Sequence, residues 1–255
     1  MKTPISAVII THNEADNIAR CLQSLQGLVD EIIVLDAFSD DETVALANAN
    51  GAKVLHKEWI GYSHNKNFAN AAAKHDWILS IDADEAVDAT LATTLKKLTL
   101  NNNTVYSINR LTRLGDAWVY HSDWYPDWKI RLFNKKEVYW QGDFVHETLH
   151  IPKQFRIRKI AGLLLHYSYK NDIDHWQRIE KYANLAAQEL FKKGKKATLF
   201  KLWISPIARF IKTFFIKKGI LDGKIGWKIS CRNAYLVHQK YRILQQLLKN
   251  KTPHE

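Results

Sequence analysis

The chain has 255 residues, a hydrophobic fraction of 46% and nine tryptophans, which excludes an intrinsically disordered protein and is enough for a large core. The first residues reach charged side chains too early for a signal peptide, and no uninterrupted apolar span is long enough to cross a bilayer. Cys21 and Cys231 have neither metal nor redox spacing. We therefore expect a cytoplasmic protein with two buried thiols.

The net charge of +11 is concentrated at one end of the chain. Residues 195–255 contain fourteen lysines and arginines against two acidic residues, whereas residues 1–194 contain 23 basic and 24 acidic residues. This asymmetry predicts an anionic partner for the last quarter of the chain, either a nucleic acid or an acidic membrane surface.

Strands and helices alternate through the first hundred residues. "ISAVII", "EIIVLD" and "AKVLHKE" read as buried strands, and helical periods follow the first two, with a third helix over 65–74 and a fourth strand over 77–82. Asn13 stands in an N-cap position, Ser39 and Glu42 form a capping-box pattern, and Gly51 ends the second helix. This alternation predicts an α/β fold with a mostly parallel sheet and helices on both faces.

After residue 100 the pattern changes. A helix over 88–99 is followed by short aromatic-rich strands to about residue 170, and a helical period returns over 172–193. Two basic amphipathic helices follow, over 198–218 and 224–249. We place the domain boundary at "GKK", so the predicted organisation is a domain over 1–194, with halves of about 1–100 and 101–194, and a helical region over 195–255.

Polar residues follow three of the predicted strands. Thr11-His12-Asn13-Glu14 follows the first strand, Asp36 ends the second, and Asp82-Ala83-Asp84-Glu85 ends the fourth. The carboxyl ends of parallel strands meet at one edge, where ligands bind. No glycine-rich phosphate cradle is present, so clustered carboxylates predict Mg²⁺ or Mn²⁺ bridging to phosphates. Structural roles are preferred for the neighbouring acids Asp16, Asp40, Asp41 and Asp88.

Three motifs carry a family resemblance. "AVIITHNEADNIARCLQSL", "EIIVLDAFSDDET" and "ILSIDADE" resemble the opening of family-2 glycosyltransferases, which have the GT-A fold. The family often has a more glycine-rich "DSGSTDGT" where this chain has "DAFSDDET". The resemblance implies a nucleotide-binding half over about 1–100 and an acceptor half over about 101–194. It assigns the following residues to a nucleotide and its metal: Thr11, Asn13 and Glu14 to the nucleoside, Asp36 to base or ribose, Asp82 near the ribose, and Asp84 to the metal.

The segment "GYSHNKNFANAAA" is similar to the family's region that holds a basic residue and an asparagine over the nucleotide. The matching residues are Lys66 and Asn67. The alternative is that both lie on an exposed helix face.

The second half resembles a narrower subgroup. "YPDWKIRLFNKKEVYWQGDFVHETLH" and "LLLHYSY" are similar to lipopolysaccharide inner-core β-1,4-glucosyltransferases, which attach glucose to heptose. Inverting transfer needs a carboxylate base, for which Glu147 is the first choice, then Asp127 and Asp143. His166 would supply a nitrogen to the metal or diphosphate. The residues assigned to donor or acceptor sugar are Arg131, Trp128, Trp140 and Gly142, with Trp124 as a further stacking candidate.

The basic tail favours a membrane surface over nucleic acid. "LFKLWISPIARFIKTFFIKKG" combines aromatic and aliphatic residues with basic ones at helical spacing, as interfacial helices do, and no nucleic-acid-reading module is present. Lys201, Arg209 and Lys212 interrupt the apolar run, so the helix would lie on anionic lipid. Packing against a second chain, as in a homo-oligomer, is the alternative use of this surface.

The resulting hypothesis is an inverting, metal-dependent transferase that moves glucose from UDP-glucose onto an inner-core heptose of lipopolysaccharide. It would work on the inner face of the cytoplasmic membrane and bind no nucleic acid. Two other functions stay open from the residues: a haloacid-dehalogenase-type phosphatase, which also uses Asp-x-Asp after an apolar strand, and a non-catalytic protein that binds nucleic acid or membrane.

Overall fold

The computed structural model of the chain describes residues 3–142 and 147–250. The chain forms two compact units: the first is drawn from Met1–Arg110 and Asp127–Tyr167, and the second from Leu111–Pro126 and Ser168–Glu255. The boundary predicted at 194–196 lies inside the second unit, between two of its helices. The sequence pattern could not reveal this division, because the chain passes between the units more than once.

The strands of the described residues form one large sheet and one small hairpin. They are β1 (Ile5–Thr11), β2 (Glu31–Asp36), β3 (Lys53–His56), β4 (Trp77–Ser80), β5 (Glu85–Val87), β6 (Thr104–Leu114), β7 (Ala117–Trp118), β8 (Asp127–Asn134), β9 (Tyr139–Gln141), β10 (Thr148–His150) and β11 (Arg156–Tyr169). The order in the large sheet is β3-β2-β1-β4-β8-β6-β11-β5. Strands β1 to β4 pair in parallel, β8 pairs antiparallel with β4 and β6, and β5 pairs antiparallel with β11.

Successive side chains of a strand point to opposite faces of the sheet, and in the first unit the side chains on both faces are mostly apolar. The sheet is therefore buried on both faces. The helices that cover it are α1 (Ala15–Leu25), α2 (Thr43–Ala49), α3 (Tyr62–Ala72) and α4 (Ala89–Lys97). Ile5, Ala7 and Ile9 pack in a core with residues of α1, α2 and α4, whereas Val8 packs with Ala69 of α3 in a second core. The predicted α/β class with helices on both faces is therefore confirmed.

The predicted helix caps are partly wrong. Asp88 caps α4 by accepting the backbone N–H of Leu91, and Gly51, with a φ of 78°, follows α2 as expected. The residues before α1 and α2 are Glu14 and Glu42, however, and neither forms a side-chain cap. Asn13 and Ser39 instead connect the loop before α1 to the loop before α2. The backbone N–H of Asn13 donates to Ser39 Oγ, and that of Asp40 donates to Asn13 Oδ1.

The second unit is mainly helical. Its helices are α5 (Asp172–Lys192), α6 (Leu199–Ile211) and α7 (Gly223–Asn250), with a π-helical turn at Lys212–Ile216 and a 3₁₀ turn at Gly219–Asp222. The predicted helices are confirmed, but in α5 the buried residues include His175 and Ile179, whereas Trp176 and Tyr182 are exposed. None of the helices in the described ranges combines the length and apolar character needed to span a membrane.

The two cysteines differ in environment. Cys21 on α1 is buried, as predicted, and burial, with the negative charges of Glu85 and Asp84, raises the pKa of its thiol well above the ordinary value. Cys231 on α7 is exposed, so the prediction of two buried thiols is wrong for this residue. The prediction rested on the usual preference of cysteine for burial, but the helical period of α7 places position 231 on the side that faces solvent.

Candidate functional site

The sheet brings the polar strand ends of the first unit to one edge. Thr11 at the end of β1 lies opposite Asp36 at the end of β2, because the two strands pair in parallel register. Strand β4 pairs with the other side of β1 and delivers Asp82 and Asp84 just beyond the same edge. A cavity of about 310 Å³ lies at this edge, and its lining includes Thr11, His12, Glu14, Trp59, Tyr62, Lys66, Asp82, Asp84, Glu147 and His166.

The protein itself supplies the positive partner of two of the clustered acids. The guanidinium of Arg131 is buried and contacts both Asp82 and Glu85, and Arg110 adds a second contact to Glu85 at 3.4 Å. Burial raises the pKa of Asp82, but the charges of Arg131 and Lys66 more than offset this and hold it well below the ordinary value. Arg131, assigned from the sequence to the sugar, thus has its Nη atoms committed to carboxylates.

Asp84 lies apart from this buried network and faces His166. Strand β11 pairs with β5 so that His166 lies opposite Glu85, and the N–H of Tyr167 donates to the carbonyl of Asp84 at 2.8 Å. This register holds His166 Nε2 3.2 Å from Asp84 Oδ2, with both side chains partly exposed to the cavity. The two residues assigned to the metal are therefore neighbours, although 82 positions separate them in the sequence.

Asp84 and His166 would supply two of the donors that a divalent cation needs. Across 3–142 and 147–250, no three His, Cys, Asp or Glu side chains form a cluster that would hold a metal ion. Asp84 and His166 offer one oxygen and one nitrogen donor, so a diphosphate and water would have to complete the shell of Mg²⁺ or Mn²⁺. Binding of this kind is usual for Mg²⁺ in phosphate-transferring sites.

Two carboxylates compete for the role of base. Glu147 Oε1 is 3.0 Å from Lys66 Nζ, and its buried Oε2 has no hydrogen-bond partner in the described structure. Asp127 accepts from Arg110 Nε at 2.9 Å and lies 3.0 Å from Lys129 Nζ. Partial burial raises the pKa of Asp127, but Arg110 and Lys129 outweigh it and leave the pKa below the ordinary value. The third candidate, Asp143, lies outside the described residues.

Lys66 joins two cavities. Together with Asp82 and Glu147 it lines both the 310 Å³ cavity and a neighbouring one of about 320 Å³, which is bounded by Arg110, Lys129, Ile130, Arg131 and Trp140. The side chain of Lys66 is buried, lies 3.6 Å from Asp82 and sits over the ring of Trp140. The alternative reading of Lys66 as an exposed surface residue is therefore wrong.

The remaining predicted residues have distinct environments. Asp36 is buried, accepts from the N–H of Ser39 at 2.9 Å and lies 3.4 Å from His56 Nδ1. Asn67 forms two hydrogen bonds to the backbone of Trp140, so its amide is committed to structure. Gly142 is exposed with a φ of 102°, a backbone conformation that favours glycine.

The three tryptophans proposed for sugar stacking are not equivalent. Trp140 is 92% buried and belongs to the core, although its Nε1 lacks a hydrogen-bond partner in the described residues. The ring of Trp128 is partly exposed and lies 4.6 Å beneath Lys159 Nζ. Trp124 belongs to the second unit and packs against Tyr169 and His175.

Sequence reasoning missed several residues of the site. Trp59 and Tyr62 line the 310 Å³ cavity with rings that meet edge to face at 4.6 Å, and Arg110 links Glu85 to Asp127. Arg110 carried a signal, because it is a basic residue inside the apolar strand "SINRLTRL". Trp59 and Tyr62 carried none, since aromatic residues just before a helix or at its first position are as often structural.

Comparison with known proteins relates the chain to one family. Residues 6–159 match the model of glycosyl transferase family 2. A protein from Rickettsia felis described as an uncharacterized glycosyltransferase is 33% identical over 97% of this chain and 92% of its own length. The lipopolysaccharide core biosynthesis glycosyltransferase LpsC of Rhizobium meliloti is 27% identical over 95% of this chain and 94% of its own length.

Solved structures give a weaker match. Glucosyl-3-phosphoglycerate synthase from Mycobacterium tuberculosis, in complex with Mn²⁺ and UDP-glucose, is 26% identical over 44% of each chain with a TM-score of 0.37. At that TM-score the likeness carries no argument about substrate.

Proposed function

The chain belongs to glycosyltransferase family 2, and we propose that it transfers glucose from UDP-glucose to a heptose of the lipopolysaccharide inner core, with inversion at the anomeric carbon. Family membership makes it an enzyme of the glycosyltransferase class and sets aside the phosphatase and non-catalytic alternatives. The observation that carries the proposal is the pairing of Asp84 with His166 beside a cavity in which two buried oxygens, Thr11 Oγ1 and Glu147 Oε2, have no hydrogen-bond partner among the described residues.

The donor would occupy the 310 Å³ cavity. Thr11 Oγ1 is buried without a hydrogen-bond partner among the described residues, so it offers an unused group to a nucleoside. Trp59 and Tyr62 add aromatic surface for the base, and Asn13, Glu14, Asp36 and Asp82 complete the set that the family resemblance assigns to the nucleotide. Mg²⁺ or Mn²⁺ held by Asp84 and His166 would neutralise charge on the departing diphosphate.

Glu147 is the proposed base. The acceptor oxygen attacks the anomeric carbon, the bond from that carbon to the diphosphate oxygen breaks, and UDP leaves with the electron pair while Glu147 takes the hydroxyl proton. Its Oε2 has no hydrogen-bond partner within residues 3–142 and 147–250, so it can accept that proton without first breaking a bond to any of them. Asp127 is the weaker choice because Arg110 and Lys129 lower its pKa and occupy its oxygens.

The proposal also assigns a role to Lys66 and a place to the acceptor sugar. Lys66 lies between Asp82 and Glu147, so its ammonium holds the proposed base at the junction of the two cavities. The neighbouring 320 Å³ cavity is the proposed acceptor side. Trp128 is partly exposed and Gly142 is exposed, so both stay the residues that the resemblance assigns to a sugar. Likeness to LpsC over nearly the whole chain supports a core-region acceptor.

The test is direct transfer. Radiolabelled UDP-glucose, Mg²⁺ or Mn²⁺ and a lipopolysaccharide acceptor ending in inner-core heptose should give labelled lipopolysaccharide, and competition with other UDP-, GDP- and ADP-sugars would identify the donor. Transfer from a different sugar nucleotide would overturn the glucose assignment. Transfer only to acceptors that lack heptose would overturn the acceptor assignment while leaving the enzyme class intact.

A further inference from the structure

Helix α6 has two apolar sides, and only one of them is covered. Within the second unit α6 packs on α7, with Leu202 buried and its carbonyl oxygen 3.1 Å from Nδ1 of His238 on α7. Thr213, in the π-helical turn that continues α6, is also buried. About half a helical turn away lies a stripe that we name the α6 apolar face, formed by Phe200, Trp203, Ile204, Ile207, Ile211 and Phe215.

The α6 apolar face is open to solvent. Trp203 is 60% exposed and Ile207 58% exposed, and the remaining members are similarly uncovered. Leu221 of the 3₁₀ turn and Trp227 of α7 are also exposed, and the ring of Trp227 lies 5.1 Å from that of Phe210 on α6. Large contiguous apolar patches are rare on monomeric soluble proteins and mark interaction sites.

The surroundings of this face are basic. Lys201 and Lys212 lie on one flank of the stripe, and Lys217, Lys218 and Lys224 follow at its C-terminal end. The acids nearby are already engaged: Asp123 pairs with Arg209 at 3.1 Å and Lys217 at 3.3 Å, and Asp222 accepts from the backbone of His121 and contacts its ring. An apolar stripe flanked by lysines is complementary to a surface that is both apolar and anionic.

We propose that the α6 apolar face docks on an anionic phospholipid bilayer, with α6 lying in the plane of the lipid–water interface. Trp203 and Trp227 suit the headgroup level, because indole rings concentrate there. Lys201 and Lys212 would extend toward lipid phosphates while the aliphatic residues enter the acyl region. A nucleic acid would match the lysines but leave the isoleucines in water.

The experiment measures vesicle binding by the full chain. Sedimentation with vesicles of phosphatidylglycerol and phosphatidylcholine is compared with pure phosphatidylcholine, at low and high salt. We expect strong binding only to the anionic vesicles, and weaker binding at high salt. The double variant I207E/I211E should bind at least about tenfold less, because both substitutions put charge into the apolar stripe. The matched control L185E changes an exposed leucine on α5 and should bind like the original chain.

Two further readouts separate the lipid from other partners. K201E/K212E should weaken binding to anionic vesicles while leaving the oligomeric state of the chain in sedimentation equilibrium unchanged. A chain that dimerises through this face, with I207E/I211E monomeric and no vesicle binding, would overturn the proposal in favour of a second copy. Salt-sensitive binding to duplex DNA without vesicle binding would overturn it in favour of nucleic acid. The proposal is independent of the donor and acceptor, since release of UDP from UDP-glucose in solution should be unchanged in I207E/I211E.

Discussion

The edge of the sheet in the first unit and the α6 apolar face in the second differ in the kind of group that lacks its usual surroundings: buried polar atoms at the sheet edge and exposed apolar side chains on α6. At the sheet edge, Asp82 and Glu85 are neutralised by Arg131, and Asp127 by Arg110, while Thr11 Oγ1 and Glu147 Oε2 have no hydrogen-bond partner in the described part of the chain. On α6 the exposed groups are apolar. Buried unpaired polar atoms and exposed apolar patches are both unfavourable in an isolated protein. The first pattern fits a small polar ligand, and the second fits an extended surface.

The strongest test of the sheet edge is Asp84→Ala. This carboxylate is partly exposed and outside the Arg131 network, so its removal should leave the fold intact. We expect loss of metal-dependent UDP-glucose binding in calorimetry and a fall in transfer of about a thousandfold or more, because the diphosphate loses its cation. Asp40→Ala, an exposed acid in the neighbouring loop, is the control. Unchanged binding by Asp84→Ala would refute the metal assignment.

The next effect separates the two candidate bases. Glu147→Gln should keep UDP-glucose binding but lower kcat for transfer by about a thousandfold, within the usual range for loss of general base catalysis. Asp127→Asn should lower it less, because the low pKa of Asp127 makes it the poorer proton acceptor. Steady-state kinetics of both variants with the heptose acceptor provide the comparison. The reverse ranking would transfer the role of base to Asp127.

A third variant tests whether Arg131 is structural. Arg131→Met leaves Glu85 buried without its main cation, and should lower the free energy of unfolding by about 3 kcal/mol in urea denaturation. Lys136→Ala removes an exposed ion pair with Asp76 and should cost less than about 1 kcal/mol. Equal stability of the two variants would mean that the buried network does not hold the sheet edge.

The smallest expected effect is a pH dependence in the second unit. Burial and the charge of Arg232 lower the pKa of His175 from 6.5 to about 4. The folded state therefore holds this imidazole neutral while the unfolded state takes up a proton, so stability is full above about pH 6.5 and falls as the pH drops toward 4. His175→Gln should flatten this part of the curve of unfolding free energy against pH. An unchanged slope would contradict the assignment.

Much of the candidate site could be predicted from local patterns in the sequence. The alternation of strand and helix periods is a local property, so it predicted the parallel strands whose ends bring Thr11, Asp36 and Asp82 to one edge. It failed at Asn13 and Ser39, because either residue can cap a helix or bond to another loop, and only the neighbouring loop decides between the two.

The sequence by itself determined the α/β class, the helix positions, the family resemblance and the concentration of positive charge at one end, since each is written in composition, periodicity or short motifs. Only the tertiary structure decided that Arg131 neutralises Asp82 and Glu85, that His166 meets Asp84, and that the two units divide the chain after residues 110, 126 and 167. It also decided which apolar side of α6 is covered. The physical reason is the same in each case: these properties depend on contacts between residues far apart in the chain, which local periodicity does not encode.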